Sequence, residues 1–237
     1  MARPERAQLA PRVRARLRRL ARHPRVGVAV LSGRTLDDVR ARVGVPRVVY
    51  GGCHGLEIAG AGLEFRPPPA WLGRLAAARR ALKLLGKRVP GVRLEDKRLA
   101  LAVHYRRVPP AYHGALRALV RRLAGPGLGL IAGKGVVDLV PAGDWDKGRA
   151  ACWIADRLSR RLGRGRPVVL YAGDDATDER AFAALRGLAV TVRVGRGRGR
   201  ADHAVAGVRG MQSLLAWLER VIVRGGRAAR GSRGGGA

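Results

Sequence analysis

Val168-Val169-Leu170-Tyr171-Ala172-Gly173-Asp174-Asp175-Ala176-Thr177-Asp178-Glu179-Arg180-Ala181-Phe182 decides the fold of this chain. Its first five residues are apolar and β-branched without alternation, the pattern of a parallel strand buried on both faces. Gly173 lets the backbone turn at the strand's carboxyl end, where open α/β sheets gather their ligands. Asp174, Asp175, Asp178 and Glu179 then crowd onto the turn entering the next helix. One acid there is ordinary helix capping, because a carboxylate favours the positive end of the helix dipole. Adjacent Asp174 and Asp175, with Asp178 a turn later, repel one another and point instead to a hard divalent cation such as Mg2+.

Working outward, Asp144-Trp145-Asp146-Lys147 leads into the preceding helix, expected from Lys147 to about Arg160 with Asp146 as its cap. Lys147 falls in the first turn, where the dipole disfavours a cation. An anion facing it, either phosphate or a carboxylate cluster, resolves that conflict. On the other side the pattern gives a helix to Leu185, a strand at Leu188–Val194 and a basic glycine-rich loop from Arg193 to Arg200. A short edge strand at Ala204–Ala206 and a closing helix at Met211–Val223 follow.

Nearer the start, Leu9, Val13, Leu17 and Leu20 recur at helical spacing within Pro4–Ala21. Val26–Leu31 is an apolar strand that runs into Ser32-Gly33-Arg34-Thr35. Thr35 is the expected cap of a helix, and a strand ending in a hydroxyl residue before a helix N-terminus can cradle phosphate. A strand at Arg47–Tyr50 precedes Gly51-Gly52-Cys53-His54-Gly55-Leu56-Glu57. There His54 reads either as a structural histidine or as a ligand-facing one. Pro67-Pro68-Pro69 marks a change of domain. Beyond it come a helix (Ala70–Lys87), strands (Val92–Glu95, Arg98–Tyr105), a second helix (Pro110–Ala124) and two more strands (Leu128–Ala132, Gly135–Val140).

The chain has 237 residues, 47% of them hydrophobic, enough for a packed core and a smaller insert. No apolar run is long enough to span a bilayer. Cys53 and Cys152 form no disulfide framework, so a reducing, cytoplasmic setting is expected. The formal charge is +31. Apart from Lys83, Lys87, Lys97, Lys134 and Lys147, all 48 basic residues are arginines spread along the chain, and aromatics make up only 4%. That distribution lacks the localised basic patch with interleaved aromatics of a specific nucleic-acid binder. It gives instead a positive field that attracts anionic small molecules.

Four segments in order carry a resemblance: Val28–Arg34, Gly52–Glu57, the insert ending at Gly133-Lys134 and continuing to Lys147-Gly148, and Gly173–Glu179. Together they resemble trehalose-6-phosphate phosphatases of the haloacid-dehalogenase-like superfamily, from about Pro4 to Leu218. The resemblance implies an α/β fold, a Rossmann-like parallel-sheet core with an inserted α+β cap domain. Residues 1–62 and 142–223 would form the core, 63–141 the cap, and 224–237 a disordered Gly/Arg tail. It implies that Ser32 hydrogen-bonds the transferring phosphoryl group, that Lys147 balances its charge, and that Asp174 and Asp175 hold Mg2+. Glu95, Lys97, His104, Arg106, Lys134 and Asp138 of the cap, with His54 at the hinge, would read trehalose 6-phosphate. Asp138 stands where the family usually carries Glu. A monomer acting on a small sugar phosphate, without nucleic-acid or membrane partners, is expected.

The family's opening strand, ending Asp-x-Asp-Gly-Thr and carrying the carboxylate nucleophile, does not precede Pro4. Asp144-Trp145-Asp146 is no substitute, since no buried strand leads into it. With the first strand missing, its neighbours are left with unpaired edges. The expectation is a phosphatase whose reading frame begins further upstream; the alternative is a catalytically inactive sugar-phosphate-binding chain. Any association with DNA should be the sequence-independent kind that salt removes. A titration should therefore show binding at low ionic strength that is gone near physiological salt. Binding that persists there would make nucleic acid a true partner.

Overall fold

The computed structural model describes residues 8–163, 167–197 and 199–231, with side chains through residue 222. The chain opens with α1 (Pro11–Arg22). The helix begins at Pro11, later than the periodicity suggested, because a proline is tolerated at a first helical position and not inside the helix. Pro4 lies outside the described residues. Next come β1 (Val28–Leu31), α2 (Leu36–Val43) and β2 (Val48–Gly52), with a single 3-10 turn at Cys53–Gly55. The β1–α2 junction forms as the sequence implied: Thr35 Oγ1 accepts the Asp38 amide at 3.2 Å.

A hairpin not foreseen from the sequence follows, β3 (Glu57–Gly60) and β4 (Leu63–Phe65). Gly60 pairs with Leu63, which leaves a two-residue turn, Ala61-Gly62, with φ of +47° and +71°. Tight hairpins need positive φ at both turn residues, and Asn-Gly or Asp-Gly usually announces them. Alanine in the left-handed region disguises this one.

The insert comprises α3 (Pro69–Arg88), β5 (Arg93–Asp96), β6 (Leu101–His104), α4 (His113–Ala124), β7 (Leu128–Gly133) and β8 (Val136–Pro141). Its antiparallel sheet runs in the order β5-β6-β8-β7. Leu101, Val103, Val137 and Leu139 point to one face and bury against Leu75, Leu82 and Val120 of the two helices. This is the α+β cap, with its other sheet face turned away from its own helices.

The chain then returns through α5 (Lys147–Leu162), β9 (Leu170–Gly173), α6 (Asp178–Ala184), β10 (Val190–Val194), β11 (His203–Val205) and α7 (Gly207–Gly231). The core's parallel pairing is divided between two sheets, β1-β2-β3-β4 and β11-β10-β9. Among the described residues, β1 and β9 each pair along one edge only, in line with the expectation of unpaired edges. The reading of β9 as a strand buried on both faces is corrected accordingly. As an end strand it is half-buried throughout, it starts at Leu170, and Val168 is 87% exposed. By contrast β2, with neighbours on both sides, is buried at every position.

α5 joins the two sheets. Leu31 of β1 packs on one side with Val49, Ile58 and Ala150, and on the other with Ala151, Ala181 and Leu185. The cap docks on the core through Leu99 and Ala100 against Cys53 and Leu56, with Trp71, Val140 and Trp145 at the margin. α7 passes the expected end at Val223 and stays helical to Gly231. The rest of the expected tail, residues 232–237, lies outside the described residues. Among the described residues no helix is long and apolar enough to cross a membrane, and Cys53 and Cys152 are both free thiols.

Leu82 is 1% exposed in the middle of the cap's core. Leu82→Ala should cost about 2–5 kcal/mol through lost transfer energy and the cavity left behind. Urea unfolding measures that loss, and a change under about 1 kcal/mol would deny this cluster its role.

Candidate functional site at the meeting of cap and core

Asp146 caps α5 as the sequence implied, with Oδ1 accepting the Gly148 and Arg149 amides at 2.9 and 3.0 Å. The cap fixes Lys147, which is only 7% exposed. The anion facing Lys147 is a carboxylate: Nζ lies 2.6 Å from Asp178 Oδ1 and 3.4 Å from Thr177 Oγ1. Asp178 also accepts the Tyr171 hydroxyl at 2.7 Å and the Asp175 amide at 2.9 Å. Burial works against its charge, yet Lys147 and these hydrogen bonds outweigh it and hold the carboxyl below its ordinary range. Burial and the neighbouring Asp178 charge push the Tyr171 phenol up. Gly173 makes the arrangement possible, because a Cβ there would stand 2.2 Å from Asp178 Cγ.

The acidic turn therefore divides. Asp178 turns inward, paired and buried, while Asp174 and Asp175 remain exposed at the end of β9. Asp175 Oδ1 accepts the Ala176 amide at 2.6 Å. Two neighbouring carboxylates are an all-oxygen donor set of the kind Mg2+ accepts, its remaining positions taken by water and phosphate oxygens. Among the described residues no group of three or more His, Cys, Asp and Glu side chains could enclose a metal. Asp174 and Asp175 are the two exposed carboxylates on this turn. The sequence groups Asp178 with Asp174 and Asp175 around a cation; its carboxylate is instead taken up by Lys147, Tyr171 and the Asp175 amide, and Tyr171 and Thr177 carry no signal of their own. The one signal was Asp178 at three positions from Asp175, inside the first helical turn.

Ser32 follows β1 on a turn locked to the 3-10 turn of the Cys53–Gly55 segment. Its amide donates to Gly51 O at 2.9 Å, its carbonyl accepts the His54 amide at 2.8 Å, and its hydroxyl accepts the Arg34 amide at 3.2 Å. His54 has φ of +62° and lays its ring on Gly33, where a Cβ would meet Cε1 at 2.6 Å. Its Nε2 is 3.0 Å from Asp138 Oδ2. Lys97 Nζ donates to the other Asp138 oxygen at 2.8 Å and to Gly33 O at 3.0 Å. Burial opposes ionisation of Asp138, but His54 and Lys97 more than compensate, and its carboxyl is held below the usual range.

Strand register places the remaining cap residues. Glu95, Ala102, Asp138 and Ile131 form one row across the sheet. Since Leu101, Val103 and Leu139 face the cap helices, this row lies on the open face. His104, two residues along from Ala102, shares that face and reaches Glu95 Oε2 at 2.6 Å. Arg106 donates to the Lys134 carbonyl at 3.1 Å. A cleft of ≈ 180 Å³ opens between this face and the core, lined by His54, Ile131, Val140, Trp145, Lys147 and Thr177 among others. Lys147 and His54 therefore share one cleft, and Ser32 adjoins it through His54. Neither Asp174 and Asp175 of the core nor Glu95, Lys97, His104, Arg106, Lys134 and Asp138 of the cap line it.

A family model described as trehalose-phosphatase matches residues 1–204. A trehalose-phosphate phosphatase of Mycobacterium avium (strain 104) is 44% identical over 178 residues, which cover 73% of this chain and 44% of the relative. That of Mycobacterium ulcerans (strain Agy99) is 39% identical over 186 residues, covering 75% and 47%. The chain spans about half the length of the curated relatives it matches. A solved structure of a trehalose-6-phosphate phosphatase related protein superposes with a TM-score of 0.77, over 94% of this chain and 93% of that one, at 23% identity. That likeness shows the fold.

Asp178→Asn would leave the Lys147 ammonium buried beside a neutral amide, at an expected cost of about 3–5 kcal/mol. Because Asp178 titrates lower in the folded chain than in the unfolded one, its stabilisation is full above about pH 4. It is lost as pH falls through the depressed folded value. Urea unfolding between pH 7 and pH 2 should thus show a shallower acid-induced loss in the variant, and an unchanged slope would rule the pair out as its source.

Proposed function

Since this chain belongs to the trehalose-phosphatase family, we propose that it supplies the phosphate- and sugar-reading site of a Mg2+-dependent phosphatase acting on trehalose 6-phosphate. One observation carries the reading: Lys147, with its ammonium paired to Asp178, lines the same cleft as Ile131 and Val140 of the cap's open sheet face. Asp174 and Asp175 stand on the turn that leads to its partner, Asp178. Phosphoryl transfer is mostly positioning and neutralisation of developing charge. In this reading Lys147 offsets negative charge on the phosphoryl oxygens, and the Ser32 hydroxyl donates to one of them. Mg2+ on Asp174 and Asp175 would supply further charge neutralisation at the same oxygens.

The cleft, ≈ 180 Å³, is below the roughly 300 Å³ of pockets that enclose a drug-sized ligand. It suits the phosphate end, and the sugar rings would extend along the open cap face. Glu95 and His104 there have hydrogen-bonding atoms for sugar hydroxyls, and Arg106 and Lys134 lie at the far turn. Residues 1–62 and 142–223 act as core and 63–141 as cap in a monomeric, cytoplasmic enzyme.

A second reading, sugar-phosphate binding without turnover, is favoured by the surroundings of Ser32: among the described residues no carboxylate hydrogen-bonds it. Thermal unfolding and phosphate release test both readings. With Mg2+, trehalose 6-phosphate should raise the melting temperature of the 237-residue polypeptide in a concentration-dependent way where trehalose does not. Phosphate release should stay at background. Adding an Asp-x-Asp-Gly-Thr strand ahead of residue 4 should bring release up under the first reading only. Equal shifts with trehalose and its phosphate would refute both.

A further inference from the structure

The three residues assigned by resemblance to sugar reading, His54, Lys97 and Asp138, do something more specific. Each is buried at its polar end, with side-chain exposures of 7%, 10% and 12%. Asp138 spends one oxygen on each of the other two. Both oxygens are thereby tied to residues of the protein, one across the cap–core boundary and one within the cap. Its partners, in turn, both grip the Ser32–Gly33 turn, Lys97 by a hydrogen bond to Gly33 O and His54 by laying its ring on the Gly33 backbone. Lys97 and Asp138 belong to the cap, while His54, Ser32 and Gly33 belong to the core.

We propose that Asp138 is a positioning residue: by holding Lys97 and His54 together, it fastens the Ser32–Gly33 turn in place while the cap is docked. The proposal rests on the reading of Ser32 as a phosphoryl contact for its purpose, but not for its geometry. The state of the cap is then transmitted to the core turn through one carboxylate, and undocking would free Gly33 O and the His54 ring in one step. An aspartate suits this task, since its short side chain holds both partners close to the strand on which it sits.

Two facts make the turn observable without any ligand. The Cys53 amide donates to Arg34 O at 2.6 Å, and the His54 amide to Ser32 O. Hydrogen exchange at these amides reports how firmly the turn is held. In Lys97→Met, a cap substitution that leaves Asp138 and His54 paired, exchange at the Cys53 and His54 amides should rise about tenfold or more. The amides of β2 and α3 should not change. Asp138→Asn should give the same local pattern. Lys97→Arg, which keeps a cation within reach of Gly33 O and Asp138, should restore protection.

Unchanged exchange in Lys97→Met overturns the proposal. So does a rise spread evenly over β2 and α3, which would make the network a general stabiliser only. Should Asp138→Asn fail to fold, the lysine pair of variants decides alone. No sugar phosphate is present in the measurement, so its outcome is independent of whether the chain binds trehalose 6-phosphate.

Discussion

The ion pair between Lys147 and Asp178 is the constraint on which the site depends. Both groups are nearly removed from water, a state that costs several kcal/mol per ion unless the geometry is good and the remaining hydrogen-bonding capacity is filled. Here it is filled by the Tyr171 hydroxyl, the Asp175 amide and Thr177. Those partners come from β9 and the acidic turn, Asp178 itself opens α6, and the lysine comes from α5. One electrostatic contact thereby sets the distance between a helix end and a strand end. It also forces glycine at position 173 and sends the remaining acids outward, where Asp174 and Asp175 can meet a cation.

α5 extends the constraint to the rest of the molecule. Its first turn holds Lys147, its body receives Leu31 between two apolar clusters, and Trp145, just ahead of it, donates to Gly55 O at 2.8 Å. The β1–β2 sheet and the β9–β10 sheet are related by this helix and by the packing of α1 on α7, where Arg16 and Arg19 pair with Glu219. The cap is attached on the opposite side of the cleft by apolar contacts near Cys53 and by the polar contacts of Lys97 and Asp138. Substrate would meet a wall from each part.

Much of this was legible in the sequence because local chemistry and tertiary position agree. Thr35 and Asp146 sit at helix starts, and each makes the hydrogen bond its type favours. The βα turn at Gly173 follows the same logic. Other features depend on partners far along the chain. Nothing local says that Asp178, rather than Asp174, turns inward to a lysine 31 positions earlier in the chain. Nor does local pattern tie Lys97 to Gly33. The β3–β4 hairpin stayed hidden because Ala61 occupies a conformation that alanine seldom adopts. Periodicity alone starts α1 too early, because it ignores the covalent limits of Pro11. The division of the parallel strands into two sheets is a matter of pairing, which an apolar run cannot reveal.

β1 and β9 carry one more implication. Val28–Leu31 and Leu170–Ala172 present open backbone edges built from apolar residues, with no proline or charge among them to discourage a second molecule. The formal charge of +31 opposes the approach of a second copy, a long-range repulsion that reaches only about 10 Å at 0.1 M ionic strength and less above it. Colloidal behaviour should therefore run opposite to that of most proteins at moderate ionic strength: dilute buffers would keep this chain dispersed, and concentrated ones would let edge meet edge and bring it out of solution.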